Sequence, residues 1–420
     1  MDRMSSPTRA SAGLRNAALV GGLFFIAAAT LVPSFGNRRP TVGSACVLCG
    51  EFGTPDLVLN ILLFIPFGIA MGMRRIPAIR ALGIALALSA VIESIQLVLP
   101  GRSSTLRDVL TNAIGGGLGA LIALRLAGWL EPGRRALVLH WLFTILAVGS
   151  VGLTGALLRP ALSEGPYFAH WVPDHDYLAN WTGELDSVYI DGRSVPPGRI
   201  RDTGPLRAAI ASGADIRIKG RSGAPTRRLN GIFTIADAEE REILLVGGIG
   251  DDLVVRSRRL AAMFRLHYPH AQFGDLLGSG AVGTPFELVV RGDLVDGSCA
   301  KVDGNRDCSL PPPAGSVWSL FLPMQTTPPV QQRLFDLLTF FCLTFPVALW
   351  SRSVPTSQAR AGLLVLLAGL IAAPWYTHLA VPGIPEWVGL VLAVMAGPWL
   401  HRRLVSARAA PSSGRGSLGP

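Results

Sequence analysis

Three long apolar runs between residues 56 and 119 constrain this chain most, because each contains polar side chains that a lipid bilayer tolerates only for a reason. Asp56 and Asn60 lie four residues apart at the start of the first run. Asp108 and Asn112 repeat this spacing at the start of the third run. Four residues is just over one helical turn, so each pair is predicted to share one face of a helix.

Charges in the short connections predict the direction of these runs. Arg74, Arg75 and Arg80 follow the first run and place that turn in the cytoplasm by the positive-inside rule. The first run therefore enters from outside, the second leaves past Glu93 and Gln96, and the third re-enters. At ~1.5 Å per residue, the polar side chains fall within roughly 6–8 Å of the outer boundary.

These residues form a candidate site in the outer leaflet, with Arg102 and Arg107 at the same level. If the site is chemical, Glu93 is predicted to act as general base and Arg102 to bind a phosphate or carboxylate bidentately. Asp108 and Asp56 would orient Arg102 or a metal. Asn60, Asn112 and Gln96 would hydrogen-bond a head group. The candidate catalytic residues are Glu93, Arg102 and Asp108, and the candidate binding residues are Asp56, Asn60, Gln96 and Asn112.

A structural role is the alternative for the same residues. Asp56 and Asp108 could cap helix N-termini, where Asp suits the positive end of the helix dipole. Asn60, Gln96 and Asn112 could join helices by hydrogen bonds. The glycines of residues 115–119 indicate close helix packing, since no P-loop lysine follows them.

The pattern of these positions resembles a known family. It reads D-x-x-x-N-x-x-x-F-x-P-x-G, then E-x-x-Q, then R-x-x-x-x-x-D-x-x-x-N-x-x-G, and its carriers are Asp56, Asn60, Phe64, Pro66, Gly68, Glu93, Gln96, Arg102, Asp108, Asn112 and Gly115. About residues 17–130 are similar to the VanZ-like membrane proteins. The resemblance implies a cell-envelope membrane protein with a link to teicoplanin-type glycopeptide resistance, and it implies no established reaction.

Composition predicts the wider class. Half of the residues are hydrophobic and 16% are charged, as in an integral membrane protein with a soluble part. The net charge of +10 comes from arginines beside apolar runs, which indicates topology signals and argues against nucleic-acid binding. The earlier apolar run AALVGGLFFIAAATLVPSF, residues 17–35, is predicted to be a retained anchor, with a cleaved signal peptide as the alternative.

The predicted fold is a polytopic α-helical membrane protein of about eight spans with an inserted extracytoplasmic all-β sandwich. It is placed in the bacterial cytoplasmic (inner) membrane, with both termini cytoplasmic. The predicted parts are a cytoplasmic head (1–16), a four-helix membrane core (17–130), a fifth span (136–158), the β-sandwich (160–328), three C-terminal spans (334–404) and a disordered tail (405–420).

The β region is predicted from short segments separated by turn residues. The predicted strands are ADIRIKG, NGIFTIADA, REILLVGG, DDLVVRSRR, MFRLHY, PFELVVRGD and VWSLFLP, with earlier strands inside residues 167–192. Their order across about residues 165–325 resembles a concanavalin A-like or laminin-G-like domain, which implies glycan or calcium binding. Asp215, Asp237, Asp251, Asp252 and Asp293 are interpreted as solvated turn carboxylates.

Four cysteines are predicted to form two local disulfides outside the cytoplasm, where disulfides persist. Cys299 and Cys308 flank a short polar loop. Cys46 and Cys49 form a C-x-x-C motif ahead of Asp56, for which a redox role is the alternative. The sequence predicts no bound metal and no cofactor, since neither a second C-x-x-C nor a neighbouring histidine completes a zinc set.

Three functional classes follow from these features. The first is an envelope protein that binds or modifies a lipid-linked or glycan substrate at the outer-leaflet site. The second is a non-catalytic scaffold whose β-sandwich binds a glycan or a protein, and the third is a transporter or flippase. The sequence leaves open whether the protein is an enzyme, and the expected partner is a membrane lipid or a lipid-linked envelope precursor.

Overall fold

A computed structural model gives the fold. It describes residues 7–31, 41–42, 53–99, 103–175, 177–278, 281–293, 297–323 and 328–409. The chain forms two compact units, and each is described by itself. The first contains Met1–Phe143, Phe345–Gly362 and Ala393–Pro420, and the second contains Thr144–Thr344 and Leu363–Leu392.

Helices make up most of the chain outside the central region. They are α1 (Pro7–Thr30), α2 (Gly53–Met73), α3 (Ala78–Gln96), α4 (Leu106–Trp129), α5 (Arg134–Leu157), α6 (Thr203–Ser212), α7 (Leu260–Met263), α8 (Pro329–Trp350), α9 (Thr356–Thr377) and α10 (Ile384–Ala409). Among the described residues, seven of these helices are long and apolar enough to cross a membrane, namely α2, α3, α4, α5, α8, α9 and α10. The apolar part of α1, Arg15–Thr30, is shorter. A helical membrane region is therefore confirmed, and the count of eight spans stays a prediction.

Small residues bring α2 and α4 into close contact. A Cβ placed on Gly72 of α2 would lie 2.6 Å from the carbonyl oxygen of Ala120 and 2.7 Å from the Cβ of Ala123. A Cβ on Gly119 would lie 2.8 Å from the amide nitrogen of Ile69. Close approach of backbones is the usual way in which membrane helices associate, because lipid supplies no hydrophobic drive between them. These glycines therefore set how α2 and α4 pack.

One apolar core joins α1, α2, α3 and α4. Its fully or nearly fully buried side chains are Ile26, Phe64, Phe67, Met71, Ala81, Ala85, Ile92 and Ala120. Other apolar side chains on the same helices are exposed, such as Leu62 at 53% and Val91 at 57%. Exposed leucine and valine on long apolar helices suit contact with lipid chains.

The central region contains two six-stranded antiparallel sheets. The first has the order β11-β10-β9-β8-β3-β6 and the second has the order β14-β13-β12-β7-β4-β5. Their strands are β3 (Tyr167–Trp171), β4 (Glu184–Ile190), β5 (Arg193–Ser194), β6 (Gly198–Ile200), β7 (Ile216–Arg221), β8 (Asn230–Asp237), β9 (Glu242–Ile249), β10 (Asp252–Ser257), β11 (Ala271–Phe273), β12 (Pro285–Asp293), β13 (Gly297–Val302) and β14 (Asn305–Ser309). A separate parallel pair joins β1 (Thr41–Val42) to β2 (Ser103–Ser104).

Buried side chains of both large sheets form a single hydrophobic core, as the two facing layers of a sandwich require. Alternation is clear in β7, where every second residue is buried. By contrast, all eight residues of β8 are buried. A β-rich domain is therefore confirmed, while its extracytoplasmic placement and its concanavalin A-like character stay predictions.

Two predicted strands are wrong. The segment MFRLHY, residues 263–268, follows α7 and contains Arg265 at a φ of 55°, a left-handed conformation that ends a strand. The segment VWSLFLP lies mostly in a 3₁₀ helix, Ala314–Leu320. Short apolar runs read alike as strand or as buried helix, so periodicity alone could not separate them.

The predicted disulfide between Cys299 and Cys308 is present. The two residues are directly paired across β13 and β14, so the bond staples one hairpin. Cys46 and Cys49 lie outside the described residues. The interpretation of Asp237 as a solvated carboxylate is wrong, because this side chain is buried and accepts hydrogen bonds from Ser163 and Arg241.

Candidate functional site

The predicted polar side chains lie where α2 and α4 begin and where α3 ends. Thr105 is the N-cap of α4, and its hydroxyl accepts a hydrogen bond from the backbone N–H of Asp108 at 3.1 Å. Asp108 therefore lies in the first turn of α4, and Asp56 lies in the first turn of α2. Neither Asp occupies the N-cap that the structural alternative gave it, although both still suit the positive end of a helix dipole.

Arg107 joins α4 to α2 through the carboxylate of Asp56 and also contacts that of its neighbour Asp108. Its Nη2 donates to Asp56 Oδ2 at 3.1 Å, and its Nε donates to Asp108 Oδ1 at 3.4 Å. The Arg107 side chain is 9% exposed, whereas that of Asp56 is 60% exposed. Asn60 Nδ2 donates to Asp108 Oδ1 at 2.7 Å. Asp56, Asn60 and Asp108 thus meet around one buried guanidinium.

Glu93, near the end of α3, also contacts the start of α4. It is 6% exposed, and its Oε2 accepts a hydrogen bond from the backbone N–H of Thr105 at 2.9 Å. Thr105 therefore contacts both Glu93 and Asp108. Glu93 is the most buried of the three predicted acids, and its carboxylate holds the segment ahead of α4 through hydrogen bonds with the Thr105 backbone and the Ser104 side chain.

Asn112 forms the next contact between α3 and α4. Its Nδ2 donates to Ser89 Oγ at 2.8 Å, and the whole residue is 2% exposed. Its Oδ1 is buried and accepts no hydrogen bond from any residue that the structure describes. An unsatisfied buried polar atom costs about 1–3 kcal/mol, so a hydrogen-bond donor bound at this oxygen would stabilise the protein.

Gln96 is held apart from this group. Its Nε2 donates to the carbonyl oxygen of Thr30 at 2.9 Å, which ties the end of α3 to α1. Its predicted role in ligand binding stays a prediction. Arg102, the predicted anion-binding residue, lies outside the described residues.

Together these contacts define a polar cluster, whose members are Asp56, Asn60, Ser89, Glu93, Thr105, Arg107, Asp108 and Asn112. The sequence placed Arg107 at the level of the site without giving it a specific role, and it did not single out Ser89 or Thr105. The sequence did contain a signal for Thr105 and Arg107. Thr-x-x-Asp at Thr105–Asp108 is a variant of the capping box, and it places Arg107 in the first turn of the helix. Ser89 could have been found as the residue four before Glu93, on the same helix face.

One comparison with known protein families found a match. Residues 14–127 match the VanZ/LLP1 family. This match confirms the resemblance read from the motif, and the VanZ-like segment contains the whole polar cluster. No curated protein and no solved structure matches the chain.

The VanZ-like segment holds acids without a metal-type grouping. Across the described ranges, no three His, Cys, Asp or Glu side chains lie close enough together to hold a metal ion. The polar cluster instead offers hydrogen-bonding groups: carboxylate oxygens, one guanidinium and the free amide oxygen of Asn112. Such a set can bind and orient hydroxyl or amine groups.

Proposed function

We propose that the VanZ-like segment binds the hydroxyl-rich headgroup of a lipid-linked or glycan envelope substrate at the polar cluster. The buried Oδ1 of Asn112 carries this proposal, because it is an acceptor with no donor among the described residues. A sugar hydroxyl is a donor of the right size and can accept as well as donate. The long apolar helices around the cluster suit a substrate with a lipid tail.

Charge favours the sugar part of such a substrate over its phosphate. In the polar cluster, the three acids Asp56, Glu93 and Asp108 outnumber the single basic residue Arg107. Two of those acids already occupy the Arg107 guanidinium, at 3.1 and 3.4 Å. A phosphate would have to displace a carboxylate, whereas hydroxyl groups can donate to carboxylate oxygens without losing any existing bond.

The loop charges support a location. Arg74 and Arg75 form the turn between α2 and α3, at the opposite ends of these helices from the polar cluster. By the positive-inside rule we infer that this turn is cytoplasmic and that the polar cluster lies at the outer leaflet. The proposed location is a bacterial inner membrane, with both termini cytoplasmic and residues 160–328 outside. The link to teicoplanin-type resistance rests on the family resemblance alone.

Binding is the part of the proposal that the contacts support. Glu93 keeps the predicted role of general base and Asp108 that of an orienting acid, because a buried carboxylate beside a substrate hydroxyl can accept its proton. A reaction would require a carboxylate oxygen of Glu93 to face the substrate. The carboxylate of Asp56 is exposed, and in this proposal it is the entry point for the headgroup.

Native mass spectrometry of the full chain in mild detergent tests the proposal. We expect a bound glycolipid or polyprenyl-linked sugar on the wild type, and its loss from Asn112→Leu and Asp56→Asn. Asn16→Leu is the matched control, because Asn16 is exposed and lies outside the polar cluster. A wild type that carries no hydroxyl-rich lipid, or variants that retain it fully, would contradict the proposal.

The alternative of a glycan-binding scaffold is favoured by one groove in the β-rich domain. This groove of about 690 Å³ is lined by Arg217, Arg291, Lys301 and Arg306 among other residues. Arg217 and Arg291 are paired with Asp215, but Lys301 and Arg306 form no ion pair within the part of the chain that the structure describes. We propose that an anionic glycan is the ligand of this groove.

Binding of a soluble polyanionic glycan to the detergent-solubilised protein tests this second candidate. Lys301→Glu with Arg306→Glu should weaken binding at least tenfold, which corresponds to about 1.4 kcal/mol. Arg193→Glu, an exposed change elsewhere in the same sheet, should not. If the Lys301→Glu/Arg306→Glu variant binds the polyanionic glycan as tightly as Arg193→Glu does, or if the wild type binds a neutral glycan equally well, the proposal for this groove is contradicted.

A further inference from the structure

A second pair of buried acids lies in the other compact unit, outside the VanZ-like segment. Asp336 on α8 is 7% exposed and Glu386 in the first turn of α10 is 1% exposed. Both acids lie beside the 3₁₀ helix Ala314–Leu320. A Cβ placed on Gly315 would lie 2.9 Å from the Asp336 Cβ and 3.0 Å from the Glu386 Cγ. The two acids therefore flank the same glycine, although fifty residues separate them in sequence.

Each carboxylate is held by one N–H donor. Trp318 Nε1 donates to Asp336 Oδ1 at 2.7 Å, and the backbone N–H of Gly383 donates to Glu386 Oε2 at 3.1 Å. The remaining oxygen of Glu386, Oε1, is buried and has no hydrogen-bond partner among the described residues. Each acid is thus oriented by the protein through one oxygen, and the second oxygen of Glu386 is unpaired.

The surrounding backbone is ordered by its own contacts. The N–H of Ala314 donates to the carbonyl oxygen of Ala380 at 3.1 Å, and the N–H of Ala380 donates to the carbonyl oxygen of Pro312 at 2.9 Å. The ring of Trp318 packs on that of Phe335, with centroids 5.0 Å apart. The 3₁₀ helix, the first half of α8 and the start of α10 therefore form one built site.

The charge of this site is not balanced by the protein. No Arg, Lys or His forms an ion pair with Asp336 or Glu386 anywhere in the described ranges. Buried carboxylates without a partner are strongly unfavourable, and proteins compensate them with a positive group. Carboxylate oxygens are the ligands that hard cations such as Ca²⁺ and Mg²⁺ prefer.

We propose that Asp336 and Glu386 bind one hard divalent cation, Ca²⁺ or Mg²⁺. Two carboxylates supply the two negative charges that neutralise it, and water or backbone carbonyls complete its coordination. The ion links α8, α10 and the 3₁₀ helix that carries Trp318. This site is independent of the headgroup site proposed for the VanZ-like segment.

Thermal unfolding of the full chain in mild detergent tests the proposal. The protein is first treated with a chelator and then measured in CaCl₂, MgCl₂ or choline chloride at equal ionic strength. We expect one divalent salt to raise the wild-type Tm in a saturable way, while choline has no effect. The salt that acts at the lower concentration identifies the ion.

Two isosteric variants locate the effect. Glu386→Gln and Asp336→Asn should lose the divalent shift, and without added cation they should be at least as stable as the chelated wild type, because each removes a buried charge. Glu164→Gln, an exposed change in the same compact unit, should keep the wild-type shift.

A direct binding measurement covers the case in which a variant does not fold. Terbium emission excited through tryptophan should appear on the wild type, since Trp318 contacts Asp336 at 2.7 Å, and CaCl₂ should suppress it. A wild type with the same Tm in all three salts, with terbium emission that calcium leaves unchanged, would overturn the proposal. So would a wild type stabilised only by acid, since that result assigns a proton to the pair.

Discussion

The contact between α2 and α4 predicts that Gly72→Ala destabilises the membrane region while Gly83→Ala does not. A methyl group on Gly72 would lie 2.6 Å from the carbonyl oxygen of Ala120 and 2.7 Å from the Cβ of Ala123, well inside the ~3.5–4.0 Å optimum for such contacts. On Gly83 of α3, nothing lies within 4 Å of the added atom. The two glycines therefore differ in the space available for an added methyl group, while both lie within a helix.

The size of the difference follows from two opposing terms. Alanine is better than glycine in a helix by about 0.5–1 kcal/mol, and both variants gain this. Forcing an extra methyl into a packed contact costs about 1–3 kcal/mol, and only Gly72→Ala incurs it. We expect Gly72→Ala to lie about 1–3 kcal/mol below Gly83→Ala in the free energy of unfolding.

Unfolding in mixed detergent and SDS micelles, followed by far-ultraviolet circular dichroism, measures this difference. In an Ala123→Gly background, Gly72→Ala should cost less than it costs in the wild type, because one of the two close contacts is removed and the one to the Ala120 carbonyl remains. If Gly72→Ala is as stable as Gly83→Ala, then close backbone packing does not hold α2 against α4.

Three further predictions concern single contacts. Thr105→Ala removes the N-cap of α4 and should lower the free energy of unfolding by about 1 kcal/mol in the same micelle assay. Arg256→Met leaves Glu242 buried without the guanidinium that binds it at 2.6 and 2.7 Å, and should lower the free energy of unfolding by about 3–5 kcal/mol. Lys219→Met, at an exposed ion pair, should lower it by only about 0–1 kcal/mol. Thermal unfolding of the β-rich domain in the full chain measures both. Burial acts to raise the pKa of Asp237, but hydrogen bonds from Ser163 and Arg241 outweigh it and hold that pKa below the ordinary 3.8. The stabilisation is therefore complete above that value and is lost as pH falls through the lower folded-state pKa, so Asp237→Asn should flatten the acid limb of a Tm-against-pH curve.

Much of the membrane region was predictable from the sequence because helical spacing and hydrophobic length are local properties. Asp56 with Asn60, and Asp108 with Asn112, were read as helix-face pairs, and α2 and α4 carry them as such. Local spacing could not show that Arg107 turns into the cluster. That choice depends on the approach of α2 to α4, which brings Asp56 within 3.1 Å.

The second acidic site shows the same limit more strongly. Asp336 stood out in the sequence only as an acid inside a short apolar run, and Glu386 as a charge at the start of another. Their pairing depends on the 3₁₀ helix Ala314–Leu320, which the sequence suggested was a strand. Long-range packing of three separate segments created the site, and no local pattern carries that information.

The two-residue pairing of β1 with β2 connects the segment ahead of α2 to the segment ahead of α4 in the VanZ-like part of the chain. Thr41 and Val42, ahead of α2, are paired in parallel with Ser103 and Ser104, ahead of α4. The next residue, Thr105, donates the N–H that holds Glu93. The pairing of Thr41 and Val42 with β2 therefore lies one residue from the peptide unit that holds this buried carboxylate, so a change in the β1–β2 pairing would shift the hydrogen-bond donor of Glu93.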